Sequence, residues 1–204
     1  MLLKLKAKVE GQMAAIAAKM VKLGFTPNSL TVIGLCFSIV AACFYALPPP
    51  LWYIWVAAVF LAASGLFDAL DGALARVGGK VTAFGGFLDS VTDRYADVIV
   101  IFGITLAYAD TLILGVYGYV WGFLAVIGSI MVSYTRARAE GLGVKLASVG
   151  VAERPERLLI LLVFSVALHP EWGVVVVAFL ANLTAIQRAV HVYRKLRSGG
   201  RNSG

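Results

Sequence analysis

The sequence predicts an all-α integral membrane protein, with six transmembrane helices preceded by an N-terminal amphipathic juxtamembrane helix. Three observations predict it. Of the 204 residues, 60% are hydrophobic and only 14% are charged, and the mean hydropathy of +0.87 belongs to membrane proteins. Apolar runs near the ~20 residues that a spanning helix needs recur at 29–47, 51–75, 86–108, 112–135, 156–169 and 172–193. Basic residues occupy only alternate connections between these runs.

Residues 2–23, LLKLKAKVEGQMAAIAAKMVKL, are too interrupted by charge to span and carry five lysines. They predict an amphipathic helix on the membrane surface, not a cleaved signal peptide. TPNSLT at 26–31 breaks the chain and supplies an N-cap to the first span, with Asn28 or Ser29 capping. Cys36 and Cys43, both inside that span, read as small core residues with no need for a disulfide. The second span ends in ARVGGK, the third in YADTL, and HPEW separates the fifth from the sixth. The fifth run is the shortest, but without it the basic segments on its two sides would lie on opposite faces of the membrane. The whole chain, 1–204, reads as one membrane domain: a surface helix over 1–25, a six-helix core over 26–197 and a flexible tail over 198–204.

All 18 Lys and Arg lie in the N-terminal segment, in ARVGGK with nearby Arg94, between Arg136 and Arg157, and from Arg188 onward. LPPPL, YADTL and HPEW contain none. The positive-inside rule therefore places both termini, and the basic connections, on the cytoplasmic side of the cell membrane. The net charge of +7 sits beside spans, where anionic headgroups and phosphorylated solutes are the available partners, and does not indicate nucleic acid.

Against this background, Phe67–Val98 holds five aspartates. A single Asp near a span end is ordinarily a cap or an interfacial residue. Here Asp68 and Asp71 share one face of the second span, and Asp89, Asp93 and Asp97, repeating every four residues, share one face of the third. Two spans joined by a short turn are antiparallel neighbours, so the two faces can oppose each other. Ionised carboxylates this close need cations, and oxygen ligands without nearby Cys or His select magnesium, manganese or calcium over zinc. Gly72, Ala75, Gly85 and Gly86 leave room beside the carboxylates for backbone or ligand. Arg76 stands where it can meet an anion that the metals also bind, although positive-inside flanking accounts for it equally well. Metals facing a phosphate suggest two-metal phosphoryl chemistry, with a remaining carboxylate as general base.

The pattern Asp68-x2-Asp71-Gly72-x2-Ala75-Arg76-x8-Gly85-x3-Asp89-x3-Asp93 resembles the complete signature of the CDP-alcohol phosphotransferases, and the resemblance extends to the span count and the surface helix. It implies transfer of a phosphatidyl-type group from a CDP-linked lipid, CDP-diacylglycerol or CDP-archaeol, to an alcohol, with release of CMP. It further implies that Asp68, Asp71 and Asp89 bind two Mg2+ or Mn2+ ions, and that Asp93 is the base and also touches metal. Gly72, Ala75, Arg76 and Gly85 match positions that accommodate the CDP moiety. Asp97 lies outside the signature and is read as a supporting polar or structural residue. Homodimers are usual in the family.

The acceptor has to be read from Ser133–Ile160, SYTRARAEGLGVKLASVGVAERPERLLI, whose basic excess suits a phosphorylated alcohol better than a neutral one. SYTRARAE and ERPERL resemble the branch of the family that makes phosphatidylinositol phosphate or archaetidylinositol phosphate from inositol 1-phosphate. That resemblance implies acceptor-binding roles for Arg136 and for an Arg of ERPER, Arg157 by spacing ahead of Arg154, with Arg138 nearby. It also implies one from the last helix, where Arg188, Arg194 and Arg197 compete. Glycerol 3-phosphate is the rival acceptor. A cation or proton transporter is the rival class, but the aspartates crowd one membrane face and do not continue toward the other.

Overall fold

The computed structural model describes residues 2–47, 50–146 and 149–199. The expected tail beyond residue 199 lies outside the described residues. Seven helices appear: α1 (Leu2–Lys22), α2 (Pro27–Ala46), α3 (Trp52–Val77), α4 (Ala83–Ala107), α5 (Gly118–Gly141), α6 (Arg154–Val166) and α7 (Pro170–Gly199). A two-stranded antiparallel hairpin, β1 (Leu112–Ile113) and β2 (Val116–Tyr117), precedes α5.

Among the described residues four helices, α2, α3, α5 and α7, are long and apolar enough to cross a membrane, which makes this a multi-pass membrane protein. The 25-residue α4 is long enough but carries Asp89, Asp93, Arg94 and Asp97 within its first fifteen residues. The expected fifth span is a helix of 13 residues. At about 1.5 Å per residue it covers roughly 20 Å of a hydrocarbon layer about 30 Å thick.

Three local expectations are corrected. The N-cap of α2 is Thr26, which accepts from the Ser29 backbone N–H at 3.2 Å, while the Ser29 hydroxyl accepts from the Thr26 N–H at 3.1 Å. Ser29 thus completes a capping box from the third helical position, and Pro27 occupies the first. Cys36 and Cys43 face outward from α2 and not into the core. The apolar run starting at 112 does not begin as helix: Leu114 and Gly115 both adopt positive φ, as a tight two-residue hairpin turn requires, and α5 starts only at Gly118.

Helix packing rests on small residues at the crossings. α2 packs on α3 and α4, α5 on α7, α6 on α7 and α3, and α1 on α3. The main core gathers Ala41, Ala57, Val100, Ile101, Ala125, Val177 and Ala181. A side chain at Gly103 of α4 would meet the Ala42 backbone of α2 at 2.5 Å, so this contact admits no Cβ. Hydroxyl pairs, Ser38 with Ser64 at 2.7 Å and Tyr45 with Ser165 at 2.6 Å, satisfy polar groups buried between helices. A second core, of Ala17, Leu30, Leu70, Ala73 and Leu74, fixes α1 against α2 and α3.

Candidate active site

The turn between α3 and α4 brings the two acidic faces together. Gly79 adopts φ +60°, and Lys80 N–H returns to the Ala75 carbonyl at 3.0 Å, closing α3 with a left-handed cap. Two residues later, Thr82 caps α4 by accepting from Gly85 N–H at 3.0 Å. The chain therefore reverses within five residues, 78–82, and sets Asp89 opposite Asp68 and Asp71.

Each of these three aspartates offers an oxygen within 4.8 Å of the others, an arrangement able to hold a metal ion. Asp71 is the most enclosed, only 6% exposed, and accepts from the Thr31 hydroxyl of α2 at 2.7 Å. Asp89 Oδ1 is buried without a hydrogen-bond partner, which is costly unless a cation faces it. An all-oxygen set of three carboxylates suits magnesium or manganese.

Arg154, the first residue of α6, extends this cluster. Its guanidinium lies 2.5 Å from Asp68 Oδ1, 2.8 Å from Asp93 Oδ1 and 3.8 Å from Asp97 Oδ1. Asp93 thus stands beside the trio, joined to Asp68 through Arg154, with Arg94 3.5 Å from its other oxygen.

Two of the cavities that flank the carboxylates bear the signature glycines and Arg136 respectively. One, of about 360 Å3, is bounded by Asn28, Thr31, Asp71, Gly72, Ala75, Arg76, Lys80, Gly85 and Asp89. A Cβ on Gly85 would come within 3.0 Å of Thr82 Oγ1 and 3.3 Å of Asn28 Oδ1, and one on Gly72 would meet the Arg76 guanidinium at 3.4 Å. The glycines therefore keep this space open. The other cavity, of about 700 Å3 between α4 and α5, is lined by Ser90, Asp93, Arg94, Ser133 and Arg136 among others.

The basic residues expected at the acceptor separate into two groups. Arg136 is exposed, 3.1 Å from Glu140 and 3.5 Å from Glu153, and Arg138 is exposed beyond it. Arg157 and Arg188 are buried and committed elsewhere. Arg157, 3% exposed, donates to the Ala152 carbonyl at 2.7 Å and to Asp97. Arg188, 1% exposed, donates to the Val149 and Val132 carbonyls at 2.9 and 2.7 Å and to Glu153 at 2.7 Å, tying α7 to α5 and the loop before α6. Of the two ERPER arginines, Arg154 meets Asp68 and Asp93, whereas Arg157 turns into the interior. Asp97 faces both arginines. Asp97→Ala should leave the Arg157 cation buried and unpaired, costing about 3–5 kcal/mol. A lowered Tm in detergent is the measurement, and an unchanged Tm would remove Asp97 from the framework.

Two site features were not readable from the motif. Thr31 carries no local signal, because its contact with Asp71 depends on α2 packing over α3. Lys80, read only as a flanking charge, lines the smaller cavity.

Comparison with known proteins agrees with this geometry. The profile of the CDP-alcohol phosphatidyltransferases matches residues 25–191. The archaetidylinositol phosphate synthase of Pyrococcus horikoshii is 40% identical over 199 residues, covering 98% of this chain and all of that protein. Among solved structures, the phosphatidylinositol phosphate synthase of Mycobacterium tuberculosis with CDP-DAG bound superimposes with a TM-score of 0.75 at 28% identity, over 89% of this chain and 93% of that one. The same enzyme in complex with manganese and citrate gives a TM-score of 0.75 at 29% identity, over 89% and 88%. Signature, fold and relatives agree: the chain belongs to the CDP-alcohol phosphatidyltransferase family.

Proposed function

We propose that the protein transfers a phosphatidyl-type group from a CDP-linked lipid to inositol 1-phosphate, releasing CMP. The observation that carries this reading is the position of Asp93, which Arg154 joins to Asp68 of the trio and which also lines the cavity bearing Arg136. Relatives named archaetidylinositol phosphate synthase and phosphatidylinositol phosphate synthase support the choice of acceptor.

In this reading the nucleotide of the donor occupies the smaller cavity, where Gly72 and Gly85 admit it and Arg76 and Lys80 face its phosphates. Asp68, Asp71 and Asp89, with Asp93 beside them, would hold the divalent ions, two of Mg2+ or Mn2+. When bound, these ions neutralise the diphosphate and stabilise charge developing on it. Asp93 accepts the proton of the attacking inositol hydroxyl. The new bond joins that oxygen to the lipid-bearing phosphorus, and the bond from that phosphorus to the CMP oxygen breaks. Arg136 grips the acceptor's own phosphate, with Arg138 at the rim. Arg154 lies close enough to the carboxylates to hold the acceptor near Asp93. Arg157 and Arg188 act through the framework they brace.

The same reading takes the chain as one six-span domain with α1 on the cytoplasmic surface, both termini and the site facing the cytoplasm, and a homodimer as the working unit. The basic connections support that orientation.

Arg136→Ala should raise the KM for inositol 1-phosphate about tenfold or more, the loss of a charge-assisted hydrogen bond worth about 1.5–3 kcal/mol. The KM for the CDP-lipid should stay near the wild-type value. CMP release from a CDP-lipid and magnesium, across inositol 1-phosphate, glycerol 3-phosphate and free inositol, tests the acceptor. Preference for free inositol would end the phosphate-clamp reading, and preference for glycerol 3-phosphate would end the inositol assignment alone.

A further inference from the structure

Arg94 has no part in the chemistry described above, yet it lines the same cavity of about 700 Å3 as Asp93 and Arg136. It is the twelfth residue of α4, roughly 16 Å along the helix from Ala83. Positive-inside flanking explains a cation in the turn before α4, but not one three turns inside the helix, where a charge is costly unless it has a partner. Its contacts within the chain are few. Nη1 donates to the Ser90 carbonyl at 2.6 Å and lies 3.5 Å from Asp93 Oδ2. Both contacts use the same nitrogen. Among the described residues Nε and Nη2 have no hydrogen-bond partner, and 39% of the side chain is exposed. Those two nitrogens form one edge of the guanidinium, the parallel pair of N–H groups that a phosphate meets bidentately. Arg136 offers less, since its Nε donates to Glu140 at 3.1 Å and its Nη1 lies 3.5 Å from Glu153. Only its Nη2 is left.

We propose that Arg94 is an acceptor-binding residue, whose Nε and Nη2 edge takes two oxygens of the acceptor's phosphate while Arg136 approaches that phosphate from the α5 wall. The proposal rests on the reading of the acceptor as a phosphorylated alcohol. A single remaining N–H group on Arg136 is a weak hold for a dianion, and the unused fork of Arg94 in the same cavity supplies what is missing. Its place beside Asp93 has a second consequence. An acceptor phosphate entering this cavity meets the Asp93 carboxylate, and two anions at close range repel each other. With Nη1 already 3.5 Å from Asp93 Oδ2, the Arg94 cation offsets that repulsion and lets phosphate and carboxylate share the cavity. The Ser90 carbonyl, one turn back along α4, fixes the guanidinium so that its fork is presented without a search through rotamers.

Two substitutions separate the fork from the charge. Arg94→Lys keeps a cation beside Asp93 but has no fork, and it is expected to raise the KM for inositol 1-phosphate about fivefold with kcat near the wild-type value. Arg94→Gln loses both and should raise that KM about tenfold or more. In both variants the KM for the CDP-lipid should stay at the wild-type value. An unchanged acceptor KM in the glutamine variant, or a parallel rise in the donor KM, overturns the proposal. A wild-type acceptor KM in the lysine variant overturns the two-oxygen grip, and that variant decides alone should the glutamine variant not fold. If the fork instead serves an anionic lipid headgroup, the acceptor KM in neutral detergent stays unchanged and only the response of activity to added phosphatidylglycerol shifts, which also overturns the proposal. Failure of the underlying reading looks different. A wild type that prefers free inositol removes the phosphate clamp and Arg94 with it, whereas one that prefers glycerol 3-phosphate removes only the inositol assignment, and the same rise in KM for glycerol 3-phosphate then upholds Arg94.

Discussion

Asp71→Asn is expected to lose turnover by about a thousandfold or more while the protein stays folded. The carboxylate is the most enclosed of the trio able to hold a metal, and Thr31 already occupies one of its oxygens. An amide oxygen still accepts from the Thr31 hydroxyl, so the contact between α2 and α3 survives and only the charge disappears. The several kcal/mol of charge stabilisation that bound cations supply would go with it, at about 1.4 kcal/mol per tenfold in rate. Asp68→Asn should act in the same direction, with the added loss of the ion pair to Arg154. Chelation of the wild type should abolish CMP release, and magnesium or manganese should restore it. Full turnover in excess chelator would defeat the metal reading, and a normal rate for Asp71→Asn with an unchanged Tm would defeat this ligand set.

Asp93→Asn should lower kcat by about 10²–10⁴, the range of a general base, with a smaller change in the KM for the CDP-lipid. Asp93 stands apart from the close trio, against the cavity that holds Arg136, which favours contact with the acceptor over contact with the donor. Arg154 keeps Asp68 and Asp97 as partners when Asp93 is neutralised, so the framework should persist. A normal kcat would mean that another group, or none, takes the proton. A loss confined to the donor KM would instead make Asp93 a donor-binding ligand.

Much of this site was legible before any coordinates, because helical periodicity is local. Spacings of three and four residues place Asp68 with Asp71, and Asp89 with Asp93 and Asp97, whatever surrounds them. The Gly-rich turn at 78–79 leaves the two helices few ways to join other than side by side. Hydropathy likewise sufficed for the multi-pass membrane character. Capping was less legible, since Thr26, Asn28 and Ser29 are all competent caps and only the backbone's point of entry into helix chooses Thr26.

What the sequence by itself determined is therefore the set of helices and the chemistry carried on each face. How each helix is rotated and how deep it sits came only from the tertiary structure. Arg154 and Arg157 differ by less than one turn of α6, yet one meets Asp68 and Asp93 while the other is buried against Asp97 and the Ala152 carbonyl. Thr31 reaches Asp71 across forty residues of chain, and Cys36 faces outward where Ser38, two residues along, is buried against Ser64. Side-chain spacing fixes angles within a helix, but which angle faces inward is set by the packing of small residues at the crossings between helices.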